Sequence, residues 1–122
     1  MKNIIRLDEY LVKSVFLEVK EIFWSLENEY HIEVKVSDEK LLDLLTIIYN
    51  YYLKKEIICD YKEIVLDHFN DLAIISIEND CLVDMNFIIS NFCLLEMFYS
   101  RVEVIPEEVF EVTSKVLKKE GK

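Results

Sequence analysis

Glycine and proline are almost missing from this chain, with one of each in 122 residues: Gly121 near the end and Pro106. Tight hairpins need glycine for their left-handed positions, and phosphate-binding loops need it for close backbone approach. Its scarcity argues against an all-β fold and leaves no P-loop, dinucleotide-binding fingerprint or nucleophile elbow. The three cysteines, Cys59, Cys81 and Cys93, form no CxxC pair and are odd in number. They read as reduced, largely buried thiols of a cytoplasmic protein. The first ten residues have no apolar h-region, so no secretory signal is expected.

Basic residues are scarce where acids are dense. Residues 56–100 hold nine acids and one base, Lys62, and so supply −8 of the net charge of −10. Residues 1–55 carry ten acids against eight bases, and residues 101–122 carry five of each. A surface of this sign disfavours nucleic acid and anionic membrane as partners and favours a basic protein.

The remaining composition is rich in apolar residues, at 52%. One domain over 1–122 is expected, large enough for a core without metal or disulfide staples. Residues 81–100, CLVDMNFIISNFCLLEMFYS, are apolar nearly all the way round a helix, so this segment is expected to be the covered, central helix of an all-α bundle. Asp84, Asn86, Asn91 and Glu96 make it a poor membrane span.

Four further helices are expected around it, giving about five in all. The first, 8–30, has a seam of Val12, Phe16, Val19, Phe23, Leu26 and Tyr30, widened by Val15, Ile22 and Trp24, with Asn28 near its end suited to a left-handed turn. The second, 38–55, is capped by Ser37 and closed by Lys54 and Lys55. The third opens at Asp60, with Glu63 at capping-box spacing, and should end near residue 73, because Ile74 would fall on its polar side. Asp80 is then the expected cap of the central helix. The last helix starts at Pro106, which suits a first helical position, and buries Val109, Phe110, Val112, Val116 and Leu117. Residues 30–39 and 99–108 share a helix–connector–acidic-start pattern. Either such joints look alike for chemical reasons, or 32–36 and 102–105 pair as a short two-stranded ribbon.

On the third helix Asp60, Glu63, Asp67 and Asp71 fall within an arc of about 80°, a stripe on the order of 16 Å long. Two readings fit: a solvated face neutralised by lysines of other helices, or a docking surface for a cationic partner. Tyr49, Tyr51, Tyr52 and Tyr61 flank it, and their angles suggest that at least one is exposed as a binding anchor, although a tyrosine at the core's edge would look the same. His68 beside Asp67 and Asp71 lacks the further ligands of a zinc site and reads as a surface or half-buried histidine. Asp84, Asn91 and Glu96 read as the places where the central helix surfaces. No serine or cysteine has a nucleophile's neighbours, so no enzyme, cofactor or metal is expected.

An acidic helix beside a tyrosine pair, here Asp60, Glu63, Asp67 and Asp71 with Tyr51–Tyr52, resembles the colicin-type immunity proteins that bacteria make against their own nuclease toxins. Those are smaller four-helix domains, and here the tyrosine pair precedes the acidic helix. The resemblance covers residues 49–84 and implies a cytoplasmic, non-enzymatic inhibitor of a basic, secreted nuclease-type toxin. Its partner-binding residues would be Asp60, Glu63, Asp67, Asp71, Tyr51, Tyr52, Tyr61 and Asp84. The alternatives are a homo-oligomeric (for instance dimeric) adaptor or structural protein, and a phage-type nucleic-acid mimic.

Overall fold

The computed structural model describes residues 7–56, 61–99 and 106–116. Five helices form, α1 (Leu7–Glu29), α2 (Asp38–Lys54), α3 (Tyr61–Asn79), α4 (Met85–Tyr99) and α5 (Pro106–Thr113). Two short strands, β1 (Val34–Lys35) and β2 (Val83–Asp84), pair in parallel, Val34 with Val83 and Lys35 with Asp84. The all-α architecture is therefore as expected. A short two-stranded ribbon is present, and among the described residues 34–35 pair with 83–84. Residues 102–105 lie outside the described residues.

Each helix has its main contacts with two others: α1 with α2 and α3, α4 with α3 and α5, and α5 with α2. Followed in turn, these contacts close a ring around one core containing Val15, Val19, Leu45, Tyr52, Tyr61, Phe69, Ile88 and Phe92. α1 and α3 run parallel. Lys62 at the start of α3 reaches Glu18 midway along α1, and Phe23 meets Phe69 further along both with ring centroids 6.1 Å apart. α4 is covered by α3 and α5, with Ile88, Ile89 and Phe92 buried. It is not covered all round: Asn86, Ser90 and Leu94 form an open face.

Scarce glycine has a visible consequence. Three helix exits turn in the left-handed region on other residues: His31 (φ 59°), Glu56 (φ 60°) and Asp80 (φ 53°). Asn28, expected in that role, is helical, and its Nδ2 donates to the Trp24 carbonyl at 2.9 Å. At Asp80 the following Cys81 N–H donates to the Ser76 carbonyl at 3.0 Å, closing the end of α3 in a Schellman arrangement.

α3 therefore extends six residues past the expected stop at 73. Its inner side continues through Ser76, which is buried, and the helix tolerates Ile74 exposed at 51%. Residues 81–84 belong to the connector and β2 rather than to the central helix. The cap of α4 is Asp84, whose Oδ1 accepts from the Phe87 N–H at 2.9 Å, so Asp80 ends one helix instead of starting the next. Ser37 caps α2 as expected, accepting from the Lys40 N–H at 3.1 Å. Trp24, Tyr30 and Phe110, expected in the core, are 58%, 53% and 48% exposed.

Candidate functional site

On α3 the buried side is Tyr61, Ile64, Val65, His68, Phe69, Leu72 and Ser76. Glu63 and Glu78 are exposed and Asp67 and Asp71 half-buried, within an arc of about 80° on the outward and α4-facing side. Asp60 lies outside the described residues. Lys62 points away from the stripe, its Nζ donating to Ser14 Oγ at 2.9 Å and standing 3.0 Å from Glu18 Oε2 on α1. Among the described residues neither Glu63 nor Asp71 has an ion pair.

Beside the stripe, α1 and α3 leave a groove of about 420 Å³ lined by Ile22, Leu26, Tyr30, Ala73, Ile74 and Ile77, with Ser25 and Asn70. The groove continues toward the helix starts past Leu66, Glu18 and Glu21. Its apolar end thus holds a half-exposed tyrosine and isoleucine, and its other end is acidic. None of these residues was expected from the sequence to belong to a binding surface. The available signal was Ile74 on a polar helical face, which also fits a helix that has stopped.

Three of the expected partner-binding residues are in the core instead. Tyr52 and Tyr61 are fully buried and Tyr51 nearly so. α2 has α1 on one side and α5 on the other, so a wide arc of its surface is covered and Tyr49, some 200° from Tyr51, is buried as well. Tyr61 packs edge-on against Tyr49 and Tyr52, at centroid distances of 5.2 and 6.2 Å, and its hydroxyl donates to the Leu45 carbonyl at 3.0 Å. Asp84 is half-buried and occupied as the α4 cap.

The Tyr52 hydroxyl donates to Glu96 Oε2, and His68 Nε2 stands 3.4 Å from the same oxygen. The His68 ring lies edge-on to Phe92 at 4.8 Å. His68 and Glu96 are 1% and 4% exposed, so His68 is neither the surface nor the half-buried histidine expected, and Glu96 does not mark a place where the central helix surfaces. Burial, reinforced by the Glu96 carboxylate and the hydrogen bond to it, pushes the Tyr52 phenol well above its ordinary range. Burial and then Tyr49 do the same to Tyr61. The Cys93 thiol is pushed up to about 11, by burial and then Glu96, against a hydrogen bond from Thr113 that acts the other way. A thiol of that kind is a poor nucleophile at neutral pH. Closed to solvent, the Tyr52–Glu96–His68 cluster ties α2, α3 and α4 together.

Among the described residues no three His, Cys, Asp or Glu side chains converge as a metal site, and no helix is long and apolar enough to cross a membrane. No protein-family model matches the chain, and no curated protein or solved structure does either.

Proposed function

We propose that this chain is a non-enzymatic binding protein that neutralises a basic protein partner, in the manner of an immunity protein against a nuclease-type toxin. The observation that carries the reading is the division of charge on α3. Glu63, Asp67 and Asp71 share its outward side, while its one base, Lys62, is drawn across to Glu18. Clustered carboxylates raise the encounter rate of a cationic partner and specify its approach. The anchors beside them are Ile74 and Tyr30 in the α1–α3 groove, in place of the buried tyrosines. A nucleic-acid mimic would want its acids at phosphate-like spacing on several elements, whereas these sit on one helix.

The test is affinity capture from the source organism with wild type and the double variant Glu63→Lys with Asp71→Lys. A basic protein retained by wild type and lost by the variant is the expected result. Its association rate should fall at least about tenfold between low salt and roughly 0.5 M salt. Equal recovery by both proteins, or a salt-independent rate, refutes the reading.

A further inference from the structure

The outward face of α1 carries a second feature, separate from the α3 stripe. Tyr10, Leu17 and Trp24 are 64%, 56% and 58% exposed. They recur every seven residues, so they stay within about 40° of one another, directly opposite the buried side made by Val12, Val15, Val19 and Leu26. A helix with a core face and a second apolar seam at heptad spacing has two partners. Among the described residues only the first is supplied. We infer that a second copy of this chain supplies the other, with α1 pairing in parallel with α1 of the copy.

Charge selects both the occupant and the direction. Lys13 and Lys20 border the stripe on one flank, about 40° and 60° from Leu17, with Glu9 and Glu27 beyond them at about 80°, and Glu21 borders it on the other, about 40° away. In a molecule of net charge −10, this is a face of mixed sign, where an equally acidic copy meets the least repulsion. In a parallel two-fold pair opposite flanks face each other, so Lys20 of each copy meets Glu21 of the other along both edges. An antiparallel pair brings like flanks together and sets Lys13 against Lys20. Lys20 is already held by Asp38 at 2.8 Å, so part of the ordering cost of that edge is met before association. Each layer of the seam, tyrosine, leucine or tryptophan, packs on its own copy, as an isologous contact requires. One helix face falls short of the about 800 Å² per partner of a standard interface, which sets the expected Kd between about 1 µM and 1 mM.

Sedimentation equilibrium of the full chain tests this. The mass should rise with concentration from 14.6 kDa toward twice that value. Leu17→Glu, a surface change, should keep the thermal melt and remain monomeric. Trp24 is the only tryptophan, so its emission should shift to the blue with concentration in wild type and stay constant in Leu17→Glu. Asn28→Cys leaves the seam intact and reports direction: a short thiol cross-linker should join position 28 to itself, with wild type as the control for the native cysteines. In an antiparallel pair the two positions would be about 33 Å apart. A wild type that is monomeric throughout, or a dimer that survives Leu17→Glu, overturns the inference. A dimer without the position-28 cross-link overturns its parallel arrangement.

Discussion

Tyr52 on α2 donates its hydroxyl to Glu96 on α4 inside the core, with His68 of α3 beside the same carboxylate oxygen. Three elements far apart in sequence meet at one buried acid. Taking a carboxylate out of water is costly unless it is paired, and removing one partner strands the other. Tyr52→Phe should therefore lower stability by about 1–3 kcal/mol, measured by urea denaturation. Adding Glu96→Leu to that variant should recover much of the loss, since the stranded acid is then gone. A strictly additive double variant would show that the two groups do not interact.

Stability should fall at alkaline pH, and the sign follows from the raised phenols. Folded Tyr52 and Tyr61 keep their protons above 10.0, the ordinary value at which the unfolded chain releases them. Above that pH the unfolded state binds fewer protons, so unfolding becomes easier as pH rises. The limiting slope is about 1.4 kcal/mol per pH unit for each phenol, roughly 2.7 for the pair. Below pH 10 the contribution of both is fully present. Cys93, shifted from 9.0 to about 11, adds a shallower loss between those values. Tyr61→Phe should reduce the slope by about one phenol's share.

Glycine substitution should stabilise this glycine-poor chain at particular positions. A left-handed backbone costs a residue with a Cβ on the order of 1–2 kcal/mol, less for aspartate and histidine. Glu56→Gly should therefore gain most, about 0.5–1 kcal/mol after the added entropy of the unfolded chain, and His31→Gly and Asp80→Gly less. Thermal melts of the three single variants check the order. A loss at Glu56 would mean that its side chain contributes more than the backbone strain removes.

Asp84 gives a separable outcome. As the α4 cap it should matter to stability and not to partner capture. Asp84→Ala is expected to cost about 1 kcal/mol. Glu63→Lys, on the exposed side of α3, should change stability by less than about 0.5 kcal/mol while abolishing capture. If Asp84→Ala also abolishes capture without unfolding the chain, Asp84 belongs to the binding face.

Helical class, the cap at Ser37 and the helix start at Pro106 were all legible from residue order. These depend on neighbours three or four positions apart, which local periodicity records. Exposure of Trp24 and Tyr30, burial of all four of Tyr49, Tyr51, Tyr52 and Tyr61, and the meeting of His68 with Glu96 were decided only by the tertiary structure. α1 and α2 each have two main helical neighbours, and how far apart those neighbours lie round a helix decides how much of it is buried; that angle is absent from its own sequence. The same holds for β1: a ribbon was one of two readings of residues 32–36, and the partner it has, β2, lay hidden at the head of an apolar run. What the chain determined by itself was an acidic helical bundle with more apolar surface than one core needs. Packing decided which tyrosines that core took in, and so left Ile74, Tyr30 and the Tyr10–Leu17–Trp24 seam outside.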